Sequence, residues 1–231
     1  MKTIGLIGGM SWESSAEYYR IINEAVKERL GRLHSARIVM YSVDFEEVEQ
    51  LQHQGRWDKA TDIMIDAAKR VERAGADFVL ICTNTMHKMA GDVARNINIP
   101  LLHIADATAN KITSLGLKKV GLLGTKFTME QDFYKGRLKE KFGLSVVIPN
   151  ESEREIVHNV IYRELCLGEI KDSSRQQLKT IISGLGNRGA RGVILGCTEL
   201  PLLINQEDCS IPLFDTTVIH AKAAVDFALR G

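Results

Sequence analysis

The chain of 231 residues has almost no net charge. Its 30 Lys and Arg stand against 29 Asp and Glu, a formal +1 at pH 7, and the basic residues are scattered. That removes the electrostatic footprint expected of a nucleic-acid or anionic-membrane binder. No apolar run approaches the roughly 18 residues of a membrane span. The N-terminal stretch Met1 to Gly8 is too short for the apolar region of an export signal, and no cleavage-like site follows, so it reads as a buried first strand. There are four cysteines, Cys82, Cys166, Cys197 and Cys209, and none forms C-x-x-C. That argues against a zinc site and a disulfide framework. The thiols are expected to be reduced in a cytoplasmic protein. Gly5, Gly8 and Gly9 do not make the G-x-G-x-x-G fingerprint, so no dinucleotide is indicated. The expectations are no metal, no organic cofactor, no nucleic acid and no membrane. A homodimer is compatible with all of this.

What the chain does have is an internal repeat. Gly75-Ala76-Asp77-Phe78-Val79-Leu80-Ile81-Cys82-Thr83-Asn84 lies over Gly189-Ala190-Arg191-Gly192-Val193-Ile194-Leu195-Gly196-Cys197-Thr198 at an offset of 114. Lys2 to Gly8 matches Lys118 to Gly124 at an offset of 116, and Ile99-Pro100-Leu101 matches Ile211-Pro212-Leu213 at 112. Three matches in one order indicate two related halves. Two like domains facing each other would set equivalent residues on opposite sides of one cleft. The pair at the end of the longest match is Thr83 and Cys197.

Short β-branched runs alternate with longer amphipathic stretches. Strands are expected at Thr3 to Ile7, Ala36 to Ser42, Phe78 to Cys82, Leu101 to Ile104, Lys119 to Leu123, Ser145 to Ile148, Gly192 to Leu195 and Leu213 to Asp215. Helices are expected at Ser14 to Leu30, Trp57 to Ala74, Asp132 to Phe142, Glu153 to Leu167, Ser173 to Gly186 and Val218 to Leu229. Such alternation implies an α/β fold: two pseudo-symmetric domains, each a parallel sheet flanked by helices, with the active site in the cleft between them. The expected bounds are 1–114 for the domain carrying Thr83 and 115–216 for the domain carrying Cys197. The last helix, about 217–231, is expected to pack back on the first domain.

Ligands of open α/β sheets bind beyond the carboxyl ends of the strands. Four such ends stand out: Gly8-Gly9-Met10-Ser11, Thr83-Asn84-Thr85, Gly124-Thr125-Lys126-Phe127 and Cys197-Thr198-Glu199. Each is expected to open a helix whose first N–H groups attract an anion such as a small carboxylate. Cys197, after Gly196 at the start of an expected helix, should have a lowered thiol pKa and yield thiolate. Nucleophilic use would need a histidine partner, and nothing in the sequence pairs His87, His103 or His220 with it. Use as a base needs less.

Gly8-Gly9-Met10, Thr83-Asn84-Thr85-Met86-His87 and Gly196-Cys197-Thr198-Glu199 resemble the aspartate/glutamate racemase family over essentially the whole chain. The resemblance implies no cofactor and a cysteine from each domain, one on either face of the substrate Cα. One thiolate removes the Cα proton and the opposite thiol returns one. Where the family reads Cys-Asn-Thr, this chain reads Thr83-Asn84-Thr85, with Cys82 one place earlier. Neighbours at a strand end point to opposite sides, so Thr83 takes the catalytic place and Cys82 faces away. A one-residue bulge would bring Cys82 there instead. A threonine hydroxyl can deliver a proton or relay one from water but is a poor base.

The resemblance therefore implies racemisation of aspartate or glutamate, with Cys197 deprotonating the L-enantiomer and Thr83 reprotonating the opposite face. Met10, Gln52, Asn84, Thr85, Thr125, Thr128, Thr198 and Glu199 are the expected substrate-binding residues, Gln52 from a loop. The basic residue that aspartate-specific relatives place on a helix of the second half has no counterpart near Cys166. A wider amino-acid range is one alternative. Others are a decarboxylase of disubstituted malonates, a hydantoin racemase and a non-catalytic amino-acid-binding protein.

Overall fold

The computed structural model describes residues 1–230. The chain divides into two compact units, Met1–Ile104 with the segment from His220 onward, and Ala105–Ile219. The expected bounds of 1–114 and 115–216 differ from this chiefly by the helix that begins at Ile104, which goes with the second unit.

In the first unit the order is β1 (Ile4–Gly8), α1 (Trp12–Leu30), β2 (Ile38–Ser42), α2 (Phe45–His53), α3 (Trp57–Arg73), β3 (Phe78–Ile81), a 3₁₀ turn (Thr85–Met89) and α4 (Ala90–Arg95). The sheet is parallel in the order β2-β1-β3, and a bridge from Val79 to Leu101 extends it by one residue. β1 is central and buried at all five positions, as a strand covered on both faces must be. Its apolar run therefore does not alternate. α3 covers one face through Ala60, Met64, Ala67, Ala68 and Val71, spaced three or four apart. Each large apolar side chain fully buried here contributes about 1.5–3 kcal/mol. Ser11 caps α1 by accepting from the Ser14 N–H at 3.3 Å.

In the second unit α5 (Ile104–Ser114) leads into β4 (Lys119–Gly124), α6 (Lys126–Glu130), α7 (Asp132–Phe142), β5 (Ser145–Val147), α8 (Glu151–Arg163), a 3₁₀ turn (Leu165–Leu167), α9 (Asp172–Asn187), β6 (Val193–Gly196), α10 (Leu200–Leu203) and β7 (Leu213–Asp215). α11 (Thr216–Leu229) starts in this unit and belongs to the first from His220 on. The sheet is parallel in the order β5-β4-β6-β7. Asn150 and Glu153 form a capping box on α8, which fixes that helix's start two residues before the expected Glu153.

The two sheets have the same order and the same register. Gly5 pairs with Val79 and Gly121 with Val193; Val79 meets Leu101 and Val193 meets Leu213. These partners are the residues that the sequence offsets of 116, 114 and 112 superimpose. The repeat is thus one of strand pairing and not only of residue type.

Three expected elements are corrected. Leu101 to Ile104 is no strand: only Leu101 bridges Val79, and Ile104 already opens α5. The helix expected over Glu153 to Leu167 ends at Arg163 and continues as a separate 3₁₀ turn. Gln52 lies on α2 and not in a loop, because Asp44 caps a helix there by accepting from the Glu46 N–H at 3.0 Å.

Candidate active site

Thr83 and Cys197 occupy equivalent places in their sheets. Ile7 pairs with Ile81 at the end of β3 and still accepts the Cys82 N–H at 2.9 Å, and Gly124 pairs with Gly196 at the end of β6. Each candidate residue is the next one out. The carboxyl end of β6 is tightly built. A Cβ at Gly196 would stand 2.8 Å from the Leu123 carbonyl oxygen, so only glycine lets the strands close up just before Cys197.

In the second unit, Cys197 is half-buried and its Sγ–H donates to Glu199 Oε2 at 2.9 Å. Thr198 Oγ1 donates to the same oxygen at 2.8 Å. Glu199 is buried, at 7% exposure. The thiol is pushed well above its ordinary range, first by burial, then by the Glu199 charge and the neighbouring Cys166. This corrects the expectation of a lowered thiol. The helix after Cys197 is only four residues long, Leu200–Leu203, and the one main-chain N–H that reaches the sulfur, that of its N-cap Glu199, is outweighed by burial and by the Glu199 carboxylate beside it. Chemically, the pair holds one proton between a thiol and a carboxylate. Moving it to Glu199 leaves a thiolate, a base. Thr125 caps α6, accepting from the Thr128 N–H at 3.3 Å, and its hydroxyl lies 3.2 Å from that of the fully buried Thr128. Cys166 sits on the 3₁₀ turn Leu165–Leu167 and packs against the same core as Cys197.

In the first unit, Cys82 is fully buried and its thiol is pushed up by burial alone. Its N–H donates to the Ile7 carbonyl at 2.9 Å, and its carbonyl accepts from Ser14 Oγ at 3.1 Å. Thr83, one residue on, is half-buried. Asn84 and Thr85 are buried at the start of the 3₁₀ turn, and the Asn84 carbonyl accepts the His87 N–H at 3.1 Å. Met10 lies in the first unit's core at 4% exposure. Gln52 is equally buried and its Nε2 donates to Met86 Sδ at 3.1 Å. Two surface hollows are lined by other residues. One of about 400 Å³ is bordered by Asp44, Glu47, Asp62 and Asp66, and one of about 380 Å³ by Lys179, Arg191, Asp208 and Cys209. Neither touches a candidate residue. Among the described residues no cluster of three or more His, Cys, Asp or Glu could hold a metal ion, and no helix is long and apolar enough to cross a membrane.

A sequence profile described as Asp/Glu/Hydantoin racemase matches residues 7–224. The chain belongs to this family. Its members are isomerases. The broad specificity amino-acid racemase RacX of Bacillus subtilis (strain 168) is 23% identical over 96% of both chains. The crystal structure of a candidate Asp/Glu racemase from Yersinia pestis has a TM-score of 0.94 and 54% identity, covering all of both chains. That of an aspartate racemase homologue from Pyrococcus horikoshii OT3 has a TM-score of 0.86 and 40% identity over 99% of each. Within this racemase-family chain, His87, weighed in the sequence only as a partner for Cys197 and as the end of the Thr83-to-His87 motif, bonds elsewhere. His87 lies at 3% exposure with Nδ1 2.7 Å from the Thr83 carbonyl oxygen and Nε2 3.1 Å from the Ile104 nitrogen.

Proposed function

We propose that this chain racemises acidic amino acids, aspartate or glutamate, without a cofactor. Cys197 removes the Cα proton of the L-enantiomer, and Thr83 returns a proton on the opposite face. The observation that carries this reading is the hydrogen bond from Cys197 to Glu199. It supplies what a thiol base needs: a carboxylate able to take the thiol proton when substrate arrives. A hydroxyl at the equivalent position of the other half has an ordinary affinity for its proton far too high to act as a base. It can still donate, or relay a proton from water, to a developing carbanion. The chemistry is therefore lopsided, faster from L than from D. The carbanion's negative charge spreads onto the α-carboxylate, where N–H groups and the hydroxyls of the strand-end residues Thr85, Thr125 and Thr198 are suited to hold it. Met10, Asn84, Thr128 and Glu199 complete the binding set proposed here, with Gln52 for the distal group.

A second reading, a broader amino-acid range, is favoured by Cys166, an uncharged residue where a fixed cation would select a second carboxylate. The relative RacX, described as broad in specificity, supports it.

The test is isotope exchange. In D2O the enzyme should wash deuterium into Cα of L-aspartate or L-glutamate and form the D-enantiomer, and Cys197→Ala should do neither. Release of CO2 from a disubstituted malonate with no Cα exchange would replace racemisation by decarboxylation. Binding without exchange would leave a binding protein.

A further inference from the structure

His87 does more than fill space. It stands on the 3₁₀ turn Thr85–Met89, buried, with its ring 4.5 Å from that of His103 and 5.8 Å from that of His220, centroid to centroid. A carbonyl can only accept, so the Nδ1 at 2.7 Å from the Thr83 oxygen carries the hydrogen. A backbone amide can only donate, so the Nε2 at 3.1 Å from the Ile104 nitrogen is bare. Both nitrogens are committed, and together they fix one neutral tautomer.

The two groups they hold lie on separate segments. Ladder pairing of β3 ends at Ile81, and the next bonds are those of Cys82 to Ile7 and Ser14. Thr83 lies beyond them, where the sheet no longer fixes the chain. Ile104 follows a segment that is itself anchored. The Leu102 N–H donates to the Val79 carbonyl at 2.9 Å, and the Leu102 carbonyl accepts from His220 Nε2 at 2.8 Å. His220 Nδ1 in turn accepts from the Tyr18 hydroxyl at 2.8 Å. The His87 ring therefore ties an unpaired strand end to a frame held by a strand, a helix and a second histidine.

We propose that His87 is a positioning residue for Thr83. By clamping the Thr83 main chain it sets where the Thr83 hydroxyl stands, and so governs reprotonation but not deprotonation. The proposal rests on the reading that Thr83 returns the proton in racemisation.

Two variants separate the ring's two bonds. His87→Asn places an N–H donor where Nδ1 stands and keeps the bond to Thr83. His87→Gln places its oxygen where Nε2 stands and keeps the bond to Ile104 but loses Thr83. The readout is a ratio. When Cys197 takes the Cα proton of an L-substrate in D2O and returns deuterium to the same face, the product is deuterated L. When delivery comes from the Thr83 face, the product is D. With His87→Gln the ratio of D-product to deuterated L should fall roughly ten- to a hundredfold, the size of effect an ångström of misplacement produces. KM should stay within about twofold, since deprotonation and binding are untouched. With His87→Asn the ratio should return toward that of the unaltered enzyme. A merely structural histidine would lower both products together and leave the ratio alone.

An unchanged ratio with His87→Gln, or an equal fall with both variants, overturns the proposal. If the unaltered enzyme gives neither product, the racemase reading fails and takes the proposal with it. A second measurement needs no variant. Nitrogen NMR of the labelled protein should find His87 neutral with the hydrogen on Nδ1, and a hydrogen on Nε2 would equally overturn the assignment.

Discussion

Replacing Glu199 by Gln removes one negative charge and keeps the shape beside Cys197. The carboxylate oxygen lies 2.9 Å from the sulfur. Two unit charges at that separation repel by about 1.4 kcal/mol at the dielectric constant of water, and by roughly 6 kcal/mol at an effective value of about 20. The carboxylate charge is shared over two oxygens and Cys197 keeps some contact with solvent, so the lower part of that range applies. Each 1.4 kcal/mol or so is a factor of ten in an equilibrium. Thiolate at a fixed neutral pH should therefore rise about ten- to a hundredfold in Glu199→Gln. The assay is alkylation by iodoacetamide over a range of pH, with Cys197 followed by peptide mass spectrometry so that Cys166 and Cys209 do not blur it. The rate at Cys197 should rise by that factor and its pH profile should move to lower pH. Racemisation should move the other way. With no carboxylate to take the thiol proton, kcat from the L-enantiomer should fall by about 10²–10⁴, the usual contribution of one acid–base group. An alkylation profile identical to that of the unaltered protein would show that Glu199 does not set the thiol's proton affinity. Faster turnover would show that the carboxylate only hinders the thiol.

Other substitutions probe the remaining links. Cys197→Ala should abolish Cα exchange from L-substrates, and Thr83→Cys should raise activity toward the D-enantiomer; both are read by the same exchange assay. Gly9 sits at φ +94°, and a Cβ there would collide with the Val43 carbonyl oxygen and stand 2.6 Å from its nitrogen, so Gly9→Ala should cost about 2–4 kcal/mol in denaturant unfolding. His220 is held at a pKa of about 4 against an ordinary 6.5, because burial outweighs its hydrogen bond to Leu102. Its folded pKa is lowered, so its contribution is complete above about pH 6.5 and is lost as pH falls toward 4, by up to roughly 3 kcal/mol. Unfolding midpoints measured from pH 7.5 to 4.5 should show that slope, and His220→Asn should flatten it whatever its overall stability.

The sheets were legible in the sequence because they are written twice. The offsets that align Gly5 with Gly121, Val79 with Val193 and Leu101 with Leu213 are also the pairings of the two ladders. Long helices such as α3 (Trp57–Arg73) were legible from the spacing of their apolar residues and from Gly75 beyond their end. α2 was not, since it is nine residues long and buries only Val48 and Gln52, too little apolar periodicity to register. Leu101-Leu102-His103-Ile104 reads as a strand from its apolar run, yet only Leu101 bridges before Ile104 turns helical. The thiol's proton affinity was misjudged for a local reason: Gly196-Cys197-Thr198-Glu199 displays both a helix start and a carboxylate, and the sequence does not say which one prevails at the sulfur. His87 was named in the sequence, but its bonds were not legible because its partners are the main-chain atoms of Thr83 and Ile104, which the fold assigns and residue type does not.

The same scaffold carries different residues at equivalent places of its two halves, Thr83 and Cys197. In each half a hydroxyl from the start of a helix holds a carbonyl of the third strand or just past it: Ser14 to Cys82 at 3.1 Å, Thr216 to Leu195 at 2.8 Å. The ionisable group that follows is used differently. In the first half His87 gives its N–H to the main chain of Thr83. In the second half Glu199 gives its oxygen to the side chain of Cys197. The one holds the main chain of Thr83, on the proposal above placing its hydroxyl; the other raises the thiol's hold on its proton. A thiol installed at position 83 would gain His87's positioning but no carboxylate of its own to accept its proton. Thr83→Cys should therefore gain activity from the D side while staying slower there than Cys197 is from the L side. Equal rates from both sides would mean that Glu199 contributes nothing to proton removal.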